Sequence, residues 1–522
     1  MTTQTPPRHR LDRRQRQTGQ PADSDKLDKQ VLLVAGVVVL GAIMSILDIT
    51  VVSVAQPTFQ QVFRSSPATV AWTMTGYTLA LASVIPLTGW AADRFGTKRL
   101  YMLAVGLFTA GSVLCAAASS IEMLVGFRVL QGLGGGMLMP LGMTIMTRAA
   151  GPERIGRVMA VLGVPMLLGP IFGPILGGWL IDVASWHWIF LINLPIGAVA
   201  LVYAAVVLAP DNPTPSESFD FTGMLLVSPG LALFLFGVSS IPQEGTVWST
   251  RVLLSAAIGL ALVIVFVMRT LFRSPEHPLM DLRLFRHRAL SIAVIAMALF
   301  AIAFFGASLL FPSYFLQVRG ESTLDAGLLL APQGIGAMLT MPAAGIFTDK
   351  IGPGKIVMAG ITTIVVGMAM FTQVGVDTSY GYLLTALFVM GLGMGGTMMP
   401  IMTSALQSLQ DHEIARGSTL MNITQQVAAS IGTALFSVLL TNSFNASAAV
   451  GQLRAAQQAG RALRDPAVIA AALQDMADAF GGAFVVAAVL IALCLVPAYL
   501  LPRRKTSRPV ENDAAAAATL VH

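Results

Sequence analysis

Apolar runs of about twenty residues, the length that crosses a bilayer, recur fourteen times along these 522 residues. They cover about 31–57, 70–91, 99–119, 122–145, 157–181, 187–209, 222–240, 251–272, 289–316, 326–348, 354–374, 380–405, 416–440 and 480–501. Only 11% of the chain is charged, against about 25% in an ordinary soluble domain. A large soluble enzyme is excluded, and an all-α polytopic membrane protein with 14 transmembrane helices is expected.

Two of the loops between these runs carry nearly the same residues, 256 positions apart. Gly89-Trp-Ala-Ala-Asp93-Arg94-Phe-Gly96-Thr-Lys98 returns as Gly345-Ile-Phe-Thr-Asp349-Lys350-Ile-Gly352-Pro-Gly-Lys355. A membrane module has been duplicated, and paired modules with a site between them are the architecture of secondary transporters. The loops follow the second and tenth spans, so two extra spans separate two six-helix bundles. The expected division is 30–209 for the N-terminal bundle, 210–275 for the extra pair and 276–502 for the C-terminal bundle.

Cations give the orientation, because Lys and Arg accumulate on the cytoplasmic side. With the N-terminus inside, 25 of the 32 fall on inside segments, six outside and Arg128 alone within a span. Both termini are therefore expected in the cytoplasm. Residues 1–29, with Arg8, Arg10, Arg13, Arg14 and Arg16, read as a disordered basic segment beside membrane lipids, and 503–522 as a cytoplasmic tail. The outside loop 441–479 is rich in helix formers, and short helices over the outer mouth are expected there. The same distribution of cations argues against nucleic acid as a partner. Nothing in the sequence decides for or against a periplasmic adaptor.

The duplicated loops hold the first candidate residues. Asp93 and Asp349 can pair with a cation or cap the next helix, Gly96 and Gly352 let the backbone reverse, and Gly89, Arg94, Lys98 and Lys350 complete a charge cluster suited to a conformational switch. A second candidate is Asp48, set in the apolar helix Leu47-Asp48-Ile-Thr50-Val-Val-Ser53-Val-Ala-Gln56-Pro57. An acid ionised there costs a few kcal/mol on insertion scales and is a functional candidate by default. Arg128 heads Arg128-Val-Leu-Gln131-Gly132-Leu-Gly134-Gly135-Gly136 in span four. Asp48 lies about nine residues and Arg128 about seven from the same end, so at about 1.5 Å per residue their depths agree within one turn. Proton coupling is the expected role of this pair. Span five reads Gly169-Pro170-Ile-Phe-Gly173-Pro174-Ile-Leu-Gly177-Gly178, whose glycines at every fourth position admit a close neighbour and whose prolines weaken the helix. Gln56, Gln131 and Met137 are expected to line a substrate cavity, and the 27 methionines suit it to varied ligands.

Other chemistries are absent. Gly391-Leu-Gly393-Met-Gly395-Gly396 matches a dinucleotide-binding pattern by letters, but no strand precedes it, so helix packing is the better account. His9, His187, His277, His287, His412 and His522 never fall at metal-ligand spacing, and Cys115 and Cys494 make no disulfide framework. Neither a cofactor, a metal nor direct use of ATP is expected.

Together these residues resemble the major facilitator superfamily, and within it the fourteen-span drug:proton antiporters (the EmrB/QacA type). The most specific piece is Trp186-His187-Trp188-Ile-Phe-Leu-Ile-Asn193-Leu-Pro195-Ile-Gly197, and Asp220-Phe-Thr-Gly223 and Pro278-Leu-Met-Asp281-Leu-Arg-Leu-Phe285 fit the subfamily as well. The resemblance implies export of small lipophilic or cationic compounds in exchange for protons, by rocking of two bundles. It makes Asp48 the proton or substrate acid, Arg128 the coupling arginine and Gly169–Gly178 the antiporter motif. Two departures stand out: His187 occupies a position usually held by Arg, and 326–348 lacks the extra acid of relatives that handle divalent cations. Dedicated export of one metabolite, siderophore or antibiotic is the alternative on the same fold.

Overall fold

The computed structural model describes residues 28–151, 154–211, 219–244, 246–273, 279–410, 412–458 and 465–503. The expectations for 1–27, for the tail beyond Arg503 and for the middle of loop 441–479 lie outside these residues. Among the described residues there is no strand. The helices are α1 (Lys29–Val62), α2 (Pro67–Phe95), α3 (Thr97–Ala116), α4 (Ile121–Ala150), α5 (Ile155–Val183), α6 (Trp188–Leu191) and α7 (Asn193–Val207) in the N-terminal half. A hairpin follows, α8 (Phe221–Glu244) and α9 (Thr250–Arg273). The C-terminal half holds α10 (Arg288–Phe300), α11 (Leu310–Gln317), α12 (Thr323–Leu329), α13 (Ala331–Ile351), α14 (Pro353–Phe371), α15 (Tyr380–Gly395), α16 (Met398–Gln407), α17 (Ile414–Ala446), α18 (Ala448–Gln458), α19 (Pro466–Leu493) and α20 (Leu495–Leu500).

Several of these join end to end, and thirteen of the resulting helical segments are long and apolar enough to cross a membrane. The 29-residue α5 is the fourteenth long helix. Local sequence explains where helices start and bend. Ser66 caps α2 by accepting from the Thr69 amide at 3.2 Å, with Pro67 at the first turn, where its missing N–H costs nothing. The duplicated loops turn on Gly96 and Gly352, at φ 94° and 91°, backbone that an L side chain rarely adopts. A π-helical stretch, Ala301–Phe305, interrupts the span begun by α10. Beyond it Gly306 crosses Gly432 of α17 so closely that a Cβ would lie 2.5 Å from the Gly432 carbonyl carbon.

The glycine series of α5 faces α1. A Cβ at Gly169 would meet Ile46 at 2.2 Å, one at Gly173 the Thr50 hydroxyl at 1.9 Å, and one at Gly177 Val51 at 3.1 Å. Gly178 meets nothing within 4 Å and stands outside this seam, and the side chains of Pro170 and Pro174 lie outside the described residues. Gly391, Gly393 and Gly395 likewise admit Gln333, Gly360 and Thr340 with Ala337 at close range, so that stretch is a packing surface. Segment 441–479 is more helical than a loop: α17 runs to Ala446, and α18 packs on α19 inside the C-terminal half.

The extra hairpin lies in the groove between the halves. Val227 and Leu231 of α8 pack with Ile85 of α2, Ile423 of α17 and Phe266 of α9. Further along, Val238 and Ile241 meet Ala434 of α17 and Val252 of α9. Its two ends are tied by Asp220, which accepts from the Gly223 amide at 2.8 Å and pairs with Arg269 at 2.8 Å. Arg269 thus lies within the span Thr250–Phe272 with a buried carboxylate as its partner, so Arg128 is not alone in that respect. Burial opposes ionisation of Asp220, but the Arg269 hydrogen bond and the Gly223 and Leu279 amides outweigh it and hold the carboxyl below its ordinary range. A carboxyl lowered by folding stabilises the protein fully above its unfolded value, about 3.9, and that contribution fades as the pH falls from there through the folded value. Asp220→Asn should therefore cost about 1–3 kcal/mol at neutral pH. Thermal unfolding should show the gap from the parent closing below that value.

Candidate functional site

Each of five N-terminal helices contributes to one buried polar network. Asp48 of α1 is 2% exposed and Arg128 of α4 is 0%, and their side chains form a direct ion pair. Gln131, one turn along α4, donates to the other Asp48 oxygen at 2.8 Å and to Ser112 of α3 at 2.6 Å, and accepts from Arg128 at 2.7 Å. Asn193 at the start of α7 reaches the same Ser112 hydroxyl at 3.2 Å. Arg128 also donates through Nε to the Thr73 carbonyl of α2 at 3.0 Å and lies 4.1 Å above the Tyr77 ring. The carboxylate and guanidinium therefore compensate each other where water is excluded, the condition a buried pair requires.

Gln131 was expected in a substrate cavity and instead belongs to this network, fully buried. Asn193, part of the Trp186–Gly197 stretch, joins the network through Ser112. Its signal is a polar residue at the start of an apolar helix, which needs a partner when buried. Met137 is buried in the N-terminal core. Gln56 lies on the same helix as Asp48 and donates to the Thr73 hydroxyl at 2.9 Å.

The duplicated loops hold the two halves together at one end, the loop end. Asp349, 5% exposed, accepts from the Gly156 and Arg157 amides at 2.8 and 3.2 Å, with the Arg157 guanidinium at 3.6 Å. It therefore caps the first turn of α5, where unpaired amides and the helix dipole favour an anion, and not the next helix in sequence. Asp93 faces Arg148 of α4 at 3.6 Å and Arg416 of α17 at 3.5 Å. Gly89 brings α2 against α17, where a Cβ would lie 3.4 Å from the Arg416 Cα. Close by, Thr144 and Ser418 share a hydrogen bond of 3.0 Å, and Asn422 donates to the Met143 sulfur at 3.1 Å. Among the described residues, these polar bonds between the halves all sit at the loop end.

Lys98 serves another purpose, donating to the Ala205 and Leu208 carbonyls at 2.7 and 2.8 Å at the end of α7. Asp211, which no sequence argument singled out, caps α3 through the Lys98 and Arg99 amides at 2.9 and 3.0 Å. Arg94 forms no ion pair among the described residues, and Lys350 lies in the last turn of α13. A cavity of about 700 Å³ opens beside this cluster, lined by Val31, Asp93, Lys98, Ile145, Arg148 and Arg416 among others. No metal-binding group of His, Cys, Asp or Glu occurs among the described residues.

Comparison with known proteins agrees with this architecture. The chain is 51% identical over 506 residues to a multidrug resistance protein B homolog of Mycobacterium tuberculosis, covering 94% of this chain and 93% of that one. It is 31% identical over 407 residues to the multidrug export protein EmrB of Haemophilus influenzae, covering 77% and 79%. The crystal structure of the human organic anion transporter MFSD10 superposes with a TM-score of 0.58 at 15% identity, over 89% of this chain and all of that one. Residues 38–433 match the model of the Major Facilitator Superfamily, and the chain belongs to that family.

Proposed function

We propose that this protein is a proton-coupled antiporter that exports small lipophilic or cationic compounds across a bacterial inner membrane by alternating access, with both termini in the cytoplasm. The observation that carries the reading is the sealed Asp48–Arg128 pair at the centre of the N-terminal half. A buried ion pair is a poor source of stability but a good switch, because each partner is costly without the other. When Arg128 moves away, Asp48 takes a proton; when the pair re-forms, the proton leaves. The multidrug names of its relatives support small, varied substrates. In this orientation the loop end is cytoplasmic, and Asp349 against the first turn of α5 and Asp93 between Arg148 and Arg416 lock that side. Each proton entering down 100 mV supplies about 2.3 kcal/mol.

The test uses purified protein in proteoliposomes with an imposed pH gradient and a panel of unrelated lipophilic cations and neutral compounds. Several of them should each dissipate the gradient and compete with one another. A single active compound without competitors would favour a dedicated exporter, and no proton movement with any compound would end the antiport reading.

A further inference from the structure

Asp48 is out of reach of any ligand in this conformation, so whatever enters the space between the halves must act on it through something else. Arg128, Gln131, Ser112 and Asn193, joined to Asp48 through hydrogen-bonded side chains, are all buried, as are Thr73 and Tyr77 that hold Arg128. Gln56 is the member left partly open. It lies eight residues beyond Asp48 on α1, about 12 Å further from the loop end. Around it α1 carries exposed Ser53 and half-buried Gln60, polar residues suited to a hydrated chamber. The exposed face of α9, by contrast, carries Leu254, Ile258 and Val265.

Gln56 meets the rest of the network at one residue. Its amide donates to the Thr73 hydroxyl at 2.9 Å, and that hydroxyl donates to the Val70 carbonyl at 2.8 Å. The carbonyl of the same Thr73 accepts from Arg128 Nε at 3.0 Å. Thr73, itself buried, therefore touches Gln56 through its side chain and the ion pair through its backbone. The charged and titratable groups facing Asp48 are Arg128 on α4, Tyr77 on α2 and Cys115 on α3. Of these, Arg128 carries the counter-charge.

We propose that Gln56 is the substrate-sensing residue of the exchange: a substrate that takes its amide releases Thr73, which shifts the first turns of α2 and loosens Arg128 from Asp48. The residue acts through Thr73 and Arg128, so it is a positioning residue for the proton step. The inference rests on Asp48 being the exchanging acid, as proposed above.

The experiment measures protons exchanged on addition of a transported lipophilic cation to weakly buffered purified protein, alongside binding of the same compound. Gln56→Ala gives up its own contact with the compound and should bind it more weakly, whereas Thr73→Val should keep binding; with the compound saturating, each should lower the protons exchanged per compound bound by about fivefold, the worth of one hydrogen bond. Their double variant should be no worse than either alone, because they break one link. Thr73→Ser keeps the hydroxyl and should match the parent. Parental proton exchange in Gln56→Ala or Thr73→Val, or additive losses in the double variant, overturns the proposal. So does weaker binding in Gln56→Ala with proton exchange unchanged in Thr73→Val, which makes Gln56 a binding residue alone. Asp48→Asn is the control. If it too exchanges protons like the parent, the reading of Asp48 itself fails, a result distinct from failure of the Gln56 route alone.

Discussion

Arg128→Met should abolish export and lower folded stability by about 3–5 kcal/mol, the usual penalty for stripping one partner from a buried ion pair. The Asp48 carboxylate would then keep the Gln131 amide and lose its counter-charge where no water reaches it. Asp48→Asn inverts the problem and leaves the guanidinium over the Tyr77 ring without an anion. Combining the two removes both charges, so the double variant should recover most of the folded yield that either single change loses. Coupled export should not return with it. Detergent melting curves and proteoliposome transport, read on all three variants, separate the two roles. If the double variant melts no higher than Arg128→Met, the stability of this region does not come from charge compensation. If it exports against a gradient, the pair is not the coupling device.

Gly156→Val should hold the loop end open. A Cβ at this position would lie 2.7 Å from an Asp349 carboxylate oxygen and 2.7 Å from the Gly345 carbonyl. Two backbones and a carboxylate cannot yield as a flexible side chain would, and overpacking of this kind costs about 1–3 kcal/mol. The cost falls only on the arrangement in which α5 and α13 touch there, so it shifts the balance between conformations by about 5- to 150-fold while leaving each half intact. A cysteine placed at Ser418, buried against Thr144, reports the change in a background without Cys115 and Cys494. Labelling of that cysteine by a water-soluble maleimide should rise at least tenfold, and export should fall in step. Unchanged labelling together with unchanged export would show that this contact does not govern closure.

Much of this architecture is legible in the sequence because a membrane leaves few choices. Span length follows from bilayer thickness, and irregular backbone is confined to loops and shielded positions. The meeting of Asp48 and Arg128 could be anticipated from depth alone, since a charge within an apolar span needs a partner at its own level. What the sequence conceals is direction around the helix. Gln131 reads as a cavity residue until it is seen that one turn places it on the Arg128 side of α4, facing α3. Asp349 looks like a cap for the helix that follows, but the turn at Gly352 carries the chain away and leaves its carboxylate against α5, over 190 positions earlier in the chain. Arg269 hides near the end of its span, where a cation reads as an anchor, because its partner Asp220 lies 49 residues back.

Among the described residues, no hydrogen bond or ion pair joins α8 to α2 or α17; the contact is aliphatic, with a single aromatic stack of Trp72 on Phe236 at 5.5 Å. Such surfaces attract without specifying register. As the halves tilt, α2 and α17 can glide along α8 like shafts in a greased bearing, with no bond to break at each stroke. On the alternating-access reading proposed above, the hairpin would thus shut one flank of the interface against lipid while adding little to the barrier.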